Sequence, residues 1–301
     1  MLIITHPYPD EFCRGHIGRL GRLNNFNSID DTIVAITRIT NEGQPKEFEL
    51  SELASIAQQC DISTKEYARQ HSFLAYLSFT YRQDESPNKA MGKRWTWAVP
   101  VPRSPHLCEH CVEEDMINHG ISFWRRTHQF PGMHWCTTHN SLLRTNPSEH
   151  DFFQMPHHQL QFASSSITSL GDRYSDLPET LTQFHRAVDL ISKWDLQLNR
   201  YTVKRALWQH LCSLGQQGKY SGQMNKTCFL SDLIISTFPI DWLIQIFPNI
   251  QKKRKKQTFA IIDSALLEAT WTRPSSAAIA FFLALFFDDP MDGLNYLQSV
   301  S

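Results

Sequence analysis

The chain has 301 residues and a mass of 34.9 kDa, with 41% hydrophobic and 20% charged residues. That length suggests about two domains, and the composition allows a buried core rather than a disordered chain. Lys and Arg number 29 against 30 Asp and Glu, a net charge of −1, which excludes a uniformly basic protein but not a local basic face. No glycine-rich phosphate-binding motif is present, so a common nucleotide site is not expected.

The sequence carries no signal for export or membrane insertion. Residues 1–7 lack the basic and apolar regions of a signal peptide, and the longest apolar run, residues 277–287, is too short to cross a bilayer and predicts a buried helix. We therefore expect a cytoplasmic protein without a membrane partner. In a reducing compartment, the odd number of seven cysteines favours metal binding over disulfides.

Helical periodicity characterises the N-terminal region. Apolar residues at helical spacing predict one helix over residues 11–24 and a second over residues 50–57. Ser63–Glu66 reads as a capping box, which predicts a third helix that continues through Leu77.

The last two of these helices predict a helix-turn-helix-like corner. Ala57 and Ile62 occupy apolar positions around the turn, and Asp61 stands where a turn glycine is usual. Such a corner either contacts DNA or only packs within its domain. If it contacts DNA, three polar residues of the second helix should face outward: Lys65, Arg69 and Gln70.

The remainder of the chain predicts further helices around a central cysteine-rich segment. Residues 86–105 read as extended or loop, and the polar residues 154–169 read as a connection. Helical patterns resume over residues 181–191, 203–211, 230–238, 242–247, 259–270 and 276–287. The expected fold is mainly α, with an N-terminal helical region at residues 1–105, a zinc-binding module at 106–150 and a helical C-terminal domain at 151–301.

Positive charge is concentrated in the second half of the chain. Residues 186–256 contain twelve Lys and Arg against four Asp and no Glu, a net charge of +8. This region ends in five adjacent cations, the basic segment of residues 252–256, which forms either a solvated loop or a loop that contacts nucleic-acid phosphates. The candidate phosphate contacts are Lys204, Arg205, Lys252, Lys253, Arg254, Lys255 and Lys256.

Two metal-binding knuckles form the most specific motif. Cys108 and Cys111 are spaced C-x2-C, and 24 residues later Cys136 and His139 are spaced C-x2-H. Three thiolates and one imidazole complete a tetrahedron around Zn²⁺ and leave no open position, which predicts one structural zinc rather than a catalytic metal. The other interpretation is that these are core thiols and a surface histidine.

Several neighbouring residues leave alternatives open. A flanking histidine can replace His139 as the fourth ligand: His106, His110 or His134. The acidic run Glu113–Asp115 reads as a solvated helix face rather than as paired catalytic carboxylates. The four remaining cysteines are expected to be small buried hydrophobic residues: Cys13, Cys60, Cys212 and Cys228.

Residues 123–126, Phe-Trp-Arg-Arg, lie between the two knuckles. Small zinc modules need additional apolar burial, so we expect Trp124 to pack beside the knuckles. Arg125 or Arg126 is expected to pair with an acidic residue such as Asp115.

At these motifs the chain resembles the TniQ/TnsD family of transposon target-selecting proteins. The resemblance lies in the opening at residues 7–11, in residues 52–73, in the cysteine and Phe-Trp-Arg-Arg motifs, and in residues 239–243 with Pro274. The chain departs from the family where Glu109 and Thr137 replace the usual prolines. Some members carry a second cysteine pair just after the first site, but residues 145–150 contain no cysteine here, so a single zinc is expected.

The resemblance implies a bacterial, non-enzymatic adaptor that is associated with the nucleoid when on DNA. Members bind target DNA directly, or a CRISPR effector ribonucleoprotein bound to it, and recruit an AAA+ ATPase regulator and, indirectly, the transposase. The net charge of +8 over residues 186–256 favours direct DNA binding here. The alternatives are a stand-alone sequence-specific DNA-binding regulator with a structural zinc, and an enzyme with a structural zinc.

Overall fold

A computed structural model describes residues 2–44, 51–81, 104–145, 152–165, 179–216, 229–266 and 274–300. These residues are mainly helical, as the sequence predicts. The chain divides into two compact units, one of residues 1–74 and 95–175 and the other of residues 75–94 and 176–301. The three-region division at residues 105 and 150 stays a prediction.

The first unit begins with four helices, α1 (Cys13–Leu23), α2 (Ile29–Thr40), α3 (Glu52–Gln59) and α4 (Thr64–His71). Helix α2 packs against both α1 and α3, and α3 packs against α4. Ser28, Ser51 and Ser63 cap the last three helices by accepting hydrogen bonds from the backbone amides of the first turn. The result is a helical cluster in which α3 and α4 form the predicted corner.

The turn between α3 and α4 depends on one left-handed residue. Asp61 has a φ of +54°, the region that a turn glycine would adopt. The amide of Ile62 then donates to the carbonyl of Ala57, and Ala57 is fully buried. Aspartate tolerates this conformation better than most residues, so the absence of glycine does not prevent the corner.

Two N-terminal elements differ from the sequence prediction. Helix α4 ends at His71 because Ser72 is extended, and a separate short helix, α5 (Leu74–Leu77), follows. The predicted single helix through Leu77 is therefore wrong. Helix α2 was not predicted, although Ser28 marks its start.

The cysteine-rich segment forms a short sheet and one helix in the same unit. Strands β2 (His106–Leu107), β3 (Arg144–Thr145) and β4 (Ser164–Ser165) pair antiparallel in that order. Helix α6 (Glu109–His119) follows β2, and Gly120, with a φ of +71°, forms its left-handed C-cap. Helix α7 (Pro156–Gln159) precedes β4, so residues predicted as a plain connection include regular structure.

The second unit contains helices α8 (Glu179–Lys193), α9 (Arg200–Ser213), α10 (Leu230–Thr237), α11 (Ile240–Ile246), α12 (Ala260–Asp263), α13 (Ser276–Phe286) and α14 (Pro290–Ser299). Strand β1 (Thr80–Tyr81) pairs parallel with β5 (Leu198–Asn199). The apolar helix α13 is buried along most of its length and packs against α8, as its composition predicts. In the described part of the chain, no helix has the length and hydrophobicity to cross a membrane.

Some predictions in this half are wrong or fall outside the described residues. Helix α12 ends at Asp263, whereas the sequence predicts a helix over residues 259–270. The prediction is therefore wrong for residues 264–266, the described residues that follow the helix. Helix α14 was not predicted. Cys212 is exposed on α9 rather than buried, whereas Cys13 and Cys60 are buried as expected. Cys228 and most of residues 86–105 lie outside the described residues.

Candidate metal centre

The structure brings Cys108, Cys111, Cys136 and His139 together. Their ligand atoms all lie within 4.8 Å of one another, and the three cysteines are buried. The Sγ atoms of Cys111 and Cys136 are 3.6 Å apart. His139 Nδ1 lies 3.6, 3.3 and 3.5 Å from the sulfur atoms of the three cysteines in chain order. The four ligand atoms therefore surround one point.

Each knuckle is shaped by its local backbone. Cys108 is the N-cap of α6 and Cys111 lies in its first turn, so both thiols project from the start of one helix. In the second knuckle, the amide of Asn140 donates to the carbonyl of Cys136 at 2.8 Å, and Asn140 is left-handed with a φ of +47°. The amide of Cys136 donates to the carbonyl of Ser141, which closes the loop around His139.

The spacing of these atoms fits a tetrahedral metal ion. Metal–sulfur bonds of about 2.3 Å place two sulfurs of a tetrahedron about 3.8 Å apart, close to the separation of Cys111 and Cys136. Hydrogen bonds from Cys111 and Cys136 lower the pKa of the Cys108 thiol, whereas the contact with Cys108 raises the pKa of Cys111, so a bound cation would have to stabilise the remaining thiolates. The cluster can thus hold one ion with three sulfur ligands and one nitrogen ligand.

The three flanking histidines do not join this group of ligand atoms. His106 Nδ1 lies 3.2 Å from the carbonyl of His128, and burial lowers the pKa of its ring to about 4. His110 is exposed beside Glu113, with 3.7 Å between the ring nitrogen and the carboxylate. His134 is buried outside the cluster. The geometry therefore favours His139, the histidine that mirrors the spacing of the first knuckle.

Trp124 is buried, as predicted, and lines one small cavity with Cys108 and Cys111. It is 3% exposed, and its indole Nε1 donates to the carbonyl of Gln154 at 2.7 Å. A Cβ added at Gly15 would lie 2.9 Å from the Trp124 side chain, so the indole lies directly against α1. Trp124 consequently joins the cysteine-rich segment to the N-terminal helices.

The expected ion pair between this motif and Asp115 is also present. Arg125 Nη2 lies 2.6 Å from Asp115 Oδ1. Asp115 is 2% exposed, and burial raises its pKa to about 6 even though Arg125 opposes the shift. The acidic run is therefore not a uniformly solvated face: Glu113 and Glu114 are exposed, whereas Asp115 is part of the core.

The opening segment joins the same buried network. Glu11 accepts two hydrogen bonds from Arg19, at 3.0 and 2.7 Å, and both side chains are almost fully buried. Asp10 accepts from the backbone and hydroxyl of Thr127, the first residue of a short 3₁₀ helix between the knuckles. The acidic residues of the opening therefore serve as structural partners of the helices and the cysteine-rich segment.

Arg126 connects the cysteine-rich segment to the helix-turn-helix-like corner. Its guanidinium lies 3.2 Å from Asp10 and donates to the carbonyls of Arg69 at 2.7 Å and Ser72 at 3.4 Å. Those carbonyls are at the C-terminal end of α4, where backbone acceptors lack helical partners. Arg126 thus caps the second helix of the corner, a role that the sequence did not reveal.

The candidate nucleic-acid residues differ in exposure. On α4, Lys65 and Gln70 are exposed and Arg69 is half-buried, and Gln70 donates to Glu66 at 3.2 Å. In the second unit, Arg205 and four residues of the basic segment are exposed: Lys252, Arg254, Lys255 and Lys256. Their function as phosphate contacts stays a prediction.

Lys204 and Lys253 are not presented to solvent. Lys204 is 7% exposed, and burial lowers the pKa of its ammonium group to about 8. The Lys253 ammonium is buried against Asp232, whose other oxygen accepts from the amide of Phe229 at the start of α10. Both lysine side chains are therefore part of the folded interior, unlike the exposed cations beside them in the sequence.

Comparison with known families identifies the N-terminal half of the chain. Residues 2–143 match the TniQ family, a range that includes the opening at residues 7–11, the corner and all four residues of the Cys/His cluster. No curated protein matches the chain. At the family level, a TniQ domain implies transposon-associated target-site selection. The match covers residues 2–143, just under half of the chain, and identifies that region as a TniQ domain.

Proposed function

We propose that this protein is a non-enzymatic adaptor that selects target sites for a transposon related to the Tn-seven group. It recognises target DNA, or an RNA-guided effector bound to DNA, and recruits an AAA+ ATPase regulator, which brings the transposase. The observation that carries this proposal is the TniQ match over residues 2–143. That range contains the helix-turn-helix-like corner, the Cys/His cluster and the buried network that joins them.

In this proposal, the Cys/His cluster holds one structural zinc ion. The ligand set of three sulfurs and one nitrogen suits Zn²⁺, and a closed tetrahedron has no position for a substrate or water. The metal thereby fixes the segment between the knuckles, which carries Trp124 and Arg126. Because Arg126 also caps α4, the metal supports the corner as well as its own module.

Direct DNA recognition would use the corner for sequence and the basic segment for affinity. Helix α4 presents Lys65 and Gln70 to solvent, with Arg69 partly accessible, and such side chains can reach base edges. The exposed cations of residues 252–256 are suited to phosphates, which position a protein without specifying sequence. Lys204 and Lys253 are omitted from the proposed contacts because both are buried.

The test of DNA contact compares two charge-matched double variants. Lys255→Ala with Lys256→Ala removes two exposed cations from the basic segment, and Arg186→Ala with Lys193→Ala removes two from α8, where each is already paired with an aspartate. Binding to a labelled duplex of random sequence is measured by anisotropy over a range of salt concentrations. Each lost phosphate contact should reduce the salt slope by about 0.9.

We expect the basic-segment variant to bind DNA more weakly and to lose about two units of slope in the plot of log affinity against log salt concentration. The α8 variant should match the original protein in both quantities. Equal behaviour of the two variants would remove the basic segment from the proposal. Replacing Gln70 with Ala should change sequence preference more than affinity, because base-edge contacts specify sequence.

Co-purification separates the adaptor from a stand-alone DNA-binding regulator. We expect the AAA+ ATPase encoded beside this protein to be retained on an affinity column that carries it. Binding of DNA without any retention of the ATPase would favour the regulator, for which the corner and the basic segment are the supporting features. Retention without DNA binding would favour targeting through a ribonucleoprotein.

A further inference from the structure

Polar side chains outside the ligand set contact three of the four candidate ligands. Glu114 Oε1 lies 2.9 Å from His139 Nε2, on the side of the ring away from the sulfurs. Ser141 Oγ lies 3.2 Å from Cys108 Sγ, and His128 Nε2 lies 3.9 Å from Cys111 Sγ. The contact with Glu114 is the one that can determine which nitrogen of His139 faces the ligand cluster.

Metal binding through Nδ1 would require a specific tautomer of His139. Its Nδ1 atom faces the three sulfurs at 3.3 to 3.6 Å, so Nδ1 is the nitrogen that would bind a metal. A neutral imidazole with a free Nδ1 lone pair carries its proton on Nε2. That Nε2–H group points to the Glu114 carboxylate, an acceptor at hydrogen-bond distance.

The position of Glu114 follows from the helix that also carries Cys111. Residues three apart on a helix lie on the same face, so Glu114 projects beside Cys111, whereas Glu113 does not. Glu113 instead lies near His110 and is 63% exposed. The two neighbouring carboxylates are therefore alike in chemistry and different in their relation to the cluster.

We propose that Glu114 is a positioning residue of the metal centre, which holds His139 in the Nε2–H tautomer and presents Nδ1 to the metal. This inference rests on the zinc site of the proposed function. A carboxylate that accepts from a metal-bound histidine orients the ring and increases the basicity of the ligand, and its loss commonly weakens metal binding by about 10–100-fold.

The experiment measures zinc affinity of the full chain by competition with a chromophoric chelator. Three variants are compared with the original protein: Glu114→Ala, Glu114→Gln and Glu113→Ala. Glu114 is 52% exposed, so its replacement removes little packing. Glutamine keeps a neutral acceptor and should restore part of the affinity. Nitrogen NMR of the histidine rings in the zinc-loaded protein reports which nitrogen of His139 binds the metal and which carries the proton.

We expect Glu114→Ala to bind zinc about 10–100-fold more weakly, Glu114→Gln to be intermediate, and Glu113→Ala to match the original protein. The original protein should show Nδ1 bound and Nε2 protonated. Unchanged affinity in Glu114→Ala, an equal loss in Glu113→Ala, or binding of His139 through Nε2 would overturn the inference about Glu114. Failure of the original protein to bind zinc would instead overturn the metal site itself.

Discussion

The Cys/His cluster of residues 108–139 and the basic segment of residues 252–256 are both short motifs, but their residues contribute differently. In the cluster, all four side chains converge on one point. In the basic segment, the five adjacent cations differ in exposure. Lys253 is buried against Asp232, whereas its neighbours are exposed. The spacing of metal ligands predicts where their side chains lie, because one metal ion must contact all of them. A run of like charges does not predict which of its side chains is buried in the fold.

The strongest test of this contrast removes one ligand. Cys111→Ser should abolish stoichiometric zinc binding and unfold much of the first unit, because metal-binding energy contributes directly to folding. The measurement is zinc content by elemental analysis together with helical signal by circular dichroism. Cys212→Ser is the matched control, since Cys212 is exposed on α9 and should be neutral. Full zinc retention by Cys111→Ser would contradict the assignment.

Trp124→Ala tests whether the cluster region is also held by packing. The indole is buried against α1 and bonded to the Gln154 carbonyl, so we expect a loss of about 3–5 kcal/mol in the free energy of unfolding. Urea unfolding followed by circular dichroism measures it. Phe162→Ala, at a 65% exposed position, should change stability by less than about 0.5 kcal/mol. Comparable effects of the two variants would refute the packing role.

Lys253→Met and Lys255→Ala separate the buried from the exposed cation. Removing the Lys253 ammonium leaves Asp232 without its buried partner and should cost about 1–3 kcal/mol of stability. Removing the Lys255 charge should leave stability within about 0.5 kcal/mol and lower DNA affinity. Thermal unfolding and anisotropy titrations measure the two effects. If Lys253→Met is as stable as the original protein, the buried contact between Lys253 and Asp232 does not contribute to stability, and the prediction is wrong.

Lys204 provides a pH-dependent test with a smaller effect. Its folded pKa of about 8 lies below the ordinary value of 10.5, so the unfolded chain binds more protons between these values and stability should rise with pH across that window. Lys204→Met should be more stable by about 1–2 kcal/mol below pH 8, with the advantage shrinking as pH approaches 10.5. Urea unfolding at several pH values measures the difference in free energy of unfolding between the variant and the original protein. A difference that does not change with pH would contradict the prediction.

Much of the fold follows from local sequence signals. The corner was predictable because Ser63 caps α4 and Ala57 and Ile62 supply the small and apolar contacts of the turn. Helix α2 was missed even though Ser28 precedes Asp31 at capping spacing, and α14 was missed despite the helix-start pair Asp289-Pro290. Both signals were present in the sequence.

The ligand set was predictable from spacing, but its surroundings were not. The three-residue spacing from Cys111 to Glu114 places both on one helix face, yet the contact with His139 depends on the second knuckle, 25 residues away in the chain. The cap that Arg126 makes on α4 joins positions 57 residues apart. Such contacts depend on tertiary packing, which no local pattern encodes.

Zinc K-edge X-ray absorption of the purified full chain tests the central claim most directly, because it counts the atoms bound to the metal. The account predicts one zinc per chain, with three sulfur neighbours at about 2.3 Å and one nitrogen neighbour at about 2.0 Å. A zinc-free protein prepared under reducing conditions, or a metal bound by any other set of atoms, would contradict it.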